Sequence, residues 1–252
     1  MIINCDVTGL EIAGAAFLSQ DAILMDEINR GVDIHSRNQE ALGLPPGDEG
    51  RLVAKIFIFR MLYGGSEYGF IKDSLFQSVS SNAKYWRKVI DKFFDKYRGL
   101  LEYQNKIVKE VGLTSGMTMP TGRMYEWDLK KYGSFKIPEP QVKNYCVQGF
   151  GADLVSVVRV SFARRFRNAG IDGVLINTVH DSIVVDCAAH EEKRVAEMFH
   201  QVFADAPTNI NRVFNIGFNL IVRCEVLGGL NQGELSPVSL SHDQGELYEV
   251  KT

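Results

Sequence analysis

The sequence predicts an α+β fold: a small antiparallel sheet flanked by helices, with a further subdomain that is helical. Three features carry this. Residues 2–8, "IINCDVT", and the two runs within "VLINTVHDSIVVDC" are short, apolar and rich in β-branched residues; residues 82–110 and 143–167 have helical spacing; and Gly- and Pro-rich breaks separate them.

Taken in order, strand 2–8 breaks at Gly9 and gives way to a helix in "LEIAGAAFL", which leaves Asp6 near the strand end. The connector "GLPPGDEG" introduces a helix at Arg51, with Asp48 as its expected cap. Residues 82–110 show an amphipathic pattern on Tyr85, Val89, Phe93, Tyr97, Leu101 and Ile107, expected as two helices meeting near Gly99. "GMTMPTGRMYEW" is turn-rich and reads as a short hairpin, and helical periodicity returns from Lys143 to about Arg167. The two following runs fold back on His180 and Asp181, so the hairpin tip presents a carboxylate. "EEKRVAEMFHQVF" is a helix, "FNLIVRCEVLGG" a strand, and the last 20 or so residues a loose polar tail.

A chain of 252 residues, 45% hydrophobic and 23% charged, can bury a real core as one large or two modest domains. No run approaches the roughly 18 uncharged apolar residues of a membrane helix, and the N-terminus lacks a signal-peptide layout, so no membrane partner and a cytoplasmic location are expected. Cys5, Cys146, Cys187 and Cys224 form no C-x-x-C pair and read as reduced packing residues. A net charge of -3 excludes a uniformly basic nucleic-acid binder, although phosphate affinity depends on where cations sit. Local clusters exist at Lys84, Arg87, Lys88, Lys92, Lys96 and Arg98, and at Arg159, Arg164, Arg165 and Arg167; such clusters are more often solvated helix faces than ligand surfaces.

"RLVAKIFIFRMLYGG" holds Arg51, Lys55, Phe59 and Tyr63 at four-residue intervals. Each step drifts only about 40° around a helix, so the four share one face while Ile56, Phe57, Met61 and Leu62 fill the opposite side. Cations beside an aromatic ring suit a nucleoside triphosphate, though a solvated face with apolar stems beneath it has the same pattern. Asp6 and Asp181, far apart in sequence, both stand at strand ends that a sheet could bring together. Close carboxylates repel unless cations separate them, and hard Mg²⁺ prefers oxygen ligands. A pair of such ions is the arrangement for in-line nucleotidyl transfer; singly, each Asp fits a turn or a cap.

Three separated segments resemble the motifs of family A DNA polymerases, a group with bacterial and phage members. "DVTGLEI" is similar to D-x-S-x-x-E, "RLVAKIFIFRMLYG" to R-x-x-x-K-x-x-x-F-x-x-x-Y-G, and "VHDS" to V-H-D-E. "DIH" at 33–35, "FFDKYRGLLEY", "TGR" at 121–123 and "NYCVQGFGADL" from Asn144 also fit, and the likeness runs to about residue 235. It implies a polymerase palm at 1–29 and 141–235, fingers at 30–140 and a tail at 236–252. Asp6 and Asp181 would hold two Mg²⁺ ions, with the Val7 carbonyl assisting. Arg51, Lys55 and His35 would grip the dNTP triphosphate, and Phe59 would stack on base and sugar; Phe rather than Tyr there goes with rejecting dideoxynucleotides. Glu11 would be the steric gate against a ribose 2′-hydroxyl, and Tyr63 would guard the template position. Asn144 and Gln148 would read the minor groove of primer-template DNA, and His180 would steady the primer terminus. Each has a plainer reading: Glu11 as a macrodipole partner, Asn144 and Gln148 as a helix pair, His35 and His180 as core histidines.

Two departures stand out. Ser182 replaces the usual Glu of the third motif, so weaker metal support is expected. Family members also carry an exonuclease-like domain, a thumb and the first palm strands ahead of the first motif, which here begins at Asp6. Strand 2–8 is therefore expected to lack its usual neighbours and to favour association. The resemblance then implies a split polymerase whose partner chain supplies thumb and 3′–5′ exonuclease, a compact arrangement that suggests a phage. The alternatives are a weakened or inactive polymerase-derived nucleic-acid-binding subunit, an RNA-synthesising relative, and an interaction protein without this chemistry.

Overall fold

The structure is a computed structural model that describes residues 1–132 and 136–240. The part of the expected tail at 241–252 therefore lies outside the described residues. The elements run in the order β1 (Ile2–Thr8), α1 (Leu10–Ser19), α2 (Ala22–Asn29), α3 (Ile34–Leu42), α4 (Asp48–Leu62), α5 (Glu67–Phe70), α6 (Ser74–Gln77), α7 (Ala83–Lys96) and α8 (Arg98–Thr114). There follow β2 (Gly116–Thr118), β3 (Met124–Glu126), α9 (Glu139–Asn168), β4 (Gly173–Val179), β5 (Ser182–Cys187), α10 (Glu192–Ala204), α11 (Ala206–Phe214), β6 (Arg223–Gly229) and β7 (Ser236–Pro237). The α+β class holds. Two compact units result: one takes Met1–Thr8, Val155–Ala206 and the chain from Arg223, the other Gly9–Leu154 and Pro207–Val222.

The first unit is built on a five-stranded antiparallel sheet in the order β4-β5-β1-β6-β7. Alternation turns Ile3, Cys5 and Val7 of β1 to one face with Ile183, Val185 and Val226, all buried. In the same unit Phe162 of α9 stacks on Phe199 of α10 with ring centroids 3.8 Å apart. The exposed edge expected at strand 2–8 is not found: β1 is the central strand, paired with β5 from Ile2 to Asp6 and with β6 from Ile2 to Thr8. Its partners lie so far along the chain that no local pattern announces them. The strand read across "FNLIVRCEVLGG" starts only at Arg223, because the Asn211 side chain bonds both the N–H and the carbonyl of Phe218 and holds that residue in the other unit.

The second unit is mainly helical, with the expected hairpin β2–β3. Its aromatic core gathers Phe57, Phe70, Phe76, Trp86, Phe93 and Tyr97, all buried, with the Arg60 guanidinium 4.6 Å from the Phe76 ring centroid and paired to Asp73. Burying rings of this size, each worth about 2 kcal/mol or more, stabilises the short helices α5 and α6, which have little propensity of their own. Beneath α7, Tyr97 donates to Glu27 at 2.6 Å and accepts from Asn38 at 2.8 Å, while Lys96 pairs with Glu27; within this buried polar cluster the Asn38 Oδ1 is left without a partner among the described residues. The α7–α8 break falls at Tyr97, two residues before the expected Gly99, because the buried ring fixes that backbone (φ -110°, ψ 64°).

α4 buries Val53, Ala54, Phe57, Ile58, Met61 and Leu62 and leaves Arg51 and Lys55 exposed. Ile56 is only half-buried, its expected place on the inner side being taken by Ile58. Asp48 is not the cap: Gly47 holds that position with φ 87°, and Asp48 and Glu49 sit inside the first turn, where carboxylates suit the macrodipole. At the other end the Gln104 side chain donates to the carbonyls of Met61 and Leu62. α9 passes the length and hydropathy test for a membrane span, which no uncharged run in the sequence does. Its buried stripe of Val142, Cys146, Phe150, Leu154, Val158 and Phe162 at helical spacing, opposite exposed Gln148 and Arg159, marks it as a core helix.

Candidate functional site

In the sheet unit, Asp6 points to the face opposite Cys5 and Val7, half-buried, between Ser182 of β5 and Glu225 of β6. Directly opposed residues have Cβ atoms about 4.5–5.5 Å apart. Asp181, also half-buried, is the residue next to Ser182 in the two-residue turn that joins β4 to β5. The turn is held by the Ser182 hydroxyl, which donates to the Val179 carbonyl at 3.0 Å, and by His180 in the left-handed region at φ 53°. Two carboxylates separated by most of the chain thus flank one β1–β5 pair, with the exposed His180 at the tip. Glu225 escaped the sequence reading, since only strand register identifies it.

Among the described residues no three His, Cys, Asp or Glu side chains converge as a metal cage. Asp6, Asp181 and the Val7 carbonyl are nonetheless an all-oxygen donor set. Mg²⁺ is commonly bound by one or two carboxylates, with phosphate and water oxygens completing an octahedron, so these residues fit that ion.

On the inner face of the same sheet, Cys5 and Cys224 are hydrogen-bonded, and Cys224 Sγ lies 3.8 Å from His200 Nδ1. The Cys5 contact, reinforced by His200, outweighs burial and holds Cys224 below the ordinary thiol range; burial, then Cys224 and Asp6, push Cys5 up. All four cysteines are free, but Cys224 is only half-buried and more than a packing residue.

In the helical unit, α3 and α4 bring together His35, Arg51, Lys55 and Phe59. Asp33 caps α3, its Oδ1 accepting from the amides of His35 and Ser36. Its Oδ2 accepts from the Ser36 hydroxyl at 2.7 Å and from Arg51 Nε at 3.0 Å. Burial alone would raise the Asp33 carboxyl, but Ser36 and Arg51 outweigh it and hold it below its usual value. The Arg51 guanidinium is therefore anchored, and Asp33 and Ser36 are site residues the sequence did not single out. His35 has its ring 6.2 Å from that of Phe59, and its Nδ1 is buried without a hydrogen-bond partner. Burial, helped by Arg51 and Lys55 against Asp33, lowers its pKa to about 4, so the ring is neutral at pH 7.

A second group joins Tyr63 at the end of α4, Glu11 in the first turn of α1 and Gln148 on α9. Burial, then the Glu11 charge, pushes the Tyr63 phenol up to about 12 against a hydrogen bond with Gln148. One turn away, the Asn144 Oδ1 is buried without a hydrogen-bond partner among the described residues. The β2–β3 hairpin is fastened beside Gln148: Arg123 pairs with Asp153, Thr121 donates to the same carboxylate at 2.5 Å, and a Cβ at Gly149 would sit 1.7 Å from the Tyr125 hydroxyl. Only glycine permits that approach.

A profile of DNA polymerase family A matches residues 1–226, and the chain belongs to that family. DNA polymerase I of Aquifex aeolicus is 26% identical over 226 residues, covering 83% of this chain and 38% of that protein. The Chloroflexus aurantiacus DNA polymerase I is 26% identical over 245 residues, covering 94% of this chain and 24% of that one. Among solved structures, the POL domain of Pol1 from M. smegmatis, in complex with DNA primer-template and dNTP, superposes with a TM-score of 0.74 at 20% identity, over 89% of this chain and 39% of that chain. The fold is thus that of a polymerase POL domain, and the chain spans about a quarter to two-fifths of the relatives it matches.

Proposed function

We propose that the chain carries out template-directed DNA synthesis, extending a primer 3′-hydroxyl with dNTPs in the cytoplasm. The observation that carries this is the strand register that sets Asp6 opposite the neighbour of Asp181. Asp6, Asp181 and the Val7 carbonyl are the ligands assigned to two Mg²⁺ ions, which when bound supply charge neutralisation at the attacking and leaving oxygens. Arg51 and Lys55 hold the triphosphate as cations. Neutral His35 hydrogen-bonds a phosphate oxygen through a protonated ring nitrogen, and Phe59 offers its ring to the base. Glu11, held next to Tyr63, closes the space a 2′-hydroxyl would need, and Tyr63 borders the template base. Asn144 and Gln148 donate to minor-groove acceptors, and His180 contacts the primer end. Palm at 1–29 and 141–235 and fingers at 30–140 are the corresponding assignments.

We further propose that a protein partner supplies thumb and exonuclease functions, as in a split phage polymerase. Primer extension with Mg²⁺ tests both readings. The intact chain should extend slowly, Asp181→Asn should abolish extension, and the partner should restore processivity. Undiminished extension by Asp181→Asn would end the catalytic reading, and processive synthesis by the chain alone would end the split one. Ser182, in place of a carboxylate, favours a second reading as a weakened or inactive polymerase-derived subunit that binds nucleic acid; primer-template binding without any extension would select it.

A further inference from the structure

The sheet ends in two unlike edges. β7 is two residues long and contains Pro237, which has no N–H to offer a further strand. β4 is seven residues long, reads GVLINTV without a charge or a proline, and pairs with β5 alone among the described strands. Edges of soluble proteins are usually blunted by lysine, proline, brevity or a bulge. β4 has only an irregularity between Leu175 and Asn177. Val174 is 58% exposed, Ile176 48% and Val179 45%, and Val160 on α9, in the same unit, is 45% exposed. Beside the edge lies an open groove of about 500 Å³ lined by Arg159, Val160, Ala163, Leu175, Asn177 and Thr178. Arg159 is exposed and makes no ion pair among the described residues.

We propose that the β4 edge is a docking site for an extended segment of a partner polypeptide, added as a sixth strand with an acidic side chain set against Arg159. An edge strand presents alternate main-chain donors and acceptors outward, which only another extended backbone satisfies in register. The apolar side chains give that segment somewhere to rest, and the unpaired guanidinium selects its charge. A second copy of this chain is the poorer occupant, because Gly173–Val179 contains no carboxylate to place against Arg159. This deepens the partner reading above and rests on it only for the occupant being a separate polypeptide; it relocates the association surface from β1, which is enclosed, to β4.

The test uses the full chain and a fluorescent nine-residue peptide of alternating valine and threonine with one threonine replaced by glutamate. Binding is read by anisotropy, and amide hydrogen exchange by mass spectrometry. The peptide should slow exchange in Gly173–Val179 with little change in the already paired β6. Arg159→Glu, an exposed change checked by circular dichroism, should weaken binding about tenfold, and a lysine-bearing peptide should bind that variant better than the glutamate one. Unaltered β4 exchange with bound peptide, equal binding of a peptide with proline at its centre, or protection of β4 through dimerisation of the chain alone would each overturn the proposal. No step reads DNA synthesis, so failure here leaves the roles of Asp6 and Asp181 untouched, and their failure leaves this result standing.

Discussion

Arg51 and Asp6 are positioned in opposite ways. Arg51 projects from a helix face and is steadied by Asp33 and Ser36, the cap and a first-turn residue of the adjacent helix α3. Asp6 takes its place from pairing: its strand is gripped on both sides, and its flanking residues Ser182 and Glu225 come from distant parts of the chain. The difference teaches that a helix-borne group is tuned by a few local bonds and can be adjusted singly, whereas a strand-borne group inherits its place from the whole sheet.

The contrast is broken most severely at the strand. Asp6→Asn keeps the shape and the pairing, so it should retain the fold by circular dichroism while primer extension falls by about 10³-fold or more. A loss under tenfold would remove Asp6 from the chemistry. Arg51→Ala removes one helix-borne cation of two, and steady-state kinetics should show the dNTP KM rising about 10- to 100-fold with a smaller change in kcat.

The pH dependence of stability probes the same helix patch. In the unfolded chain His35 takes its proton near 6.5, in the fold only near 4. Above 6.5 both states are neutral and the full stability is present; as pH falls from 6.5 toward 4 the unfolded state gains protons that the fold refuses, so stability is lost. Discounted for partial exposure of the ring, this is of the order of 1–2 kcal/mol. Urea titrations at pH 7 and pH 5 should show the loss, and His35→Gln should flatten it. The smallest effects sharpen the comparison. Ser182→Glu should lower the Mg²⁺ concentration at half-maximal rate about threefold. Asp33→Asn, which still caps α3 but releases Arg51, should lower the dNTP KM by a similar factor with stability changed by less than about 0.5 kcal/mol.

How legible each part was follows the same division. The Arg51–Tyr63 spacing, the two helices of 82–110 and the hairpin at His180 are short-range patterns, and the sequence showed them. The placement of β1 between β5 and β6, the company Glu225 keeps with Asp6, and the Cys224–His200 contact depend on register between segments far apart, which no window of sequence contains. Asp33 appeared in the sequence only as part of "DIH"; its capping of α3 and its hold on Arg51, 18 residues further along on another helix, came from the fold.

The central position of β1 also bears on biosynthesis. The Met1 amino group ends beside Asp186, 185 residues further along the chain. At ribosomal speeds of about 5–20 residues per second, that interval lasts on the order of 10–40 s. Throughout it the segment IINCDVT is without the β5 and β6 partners that hold it in the fold, an apolar stretch open to other pairings until they emerge.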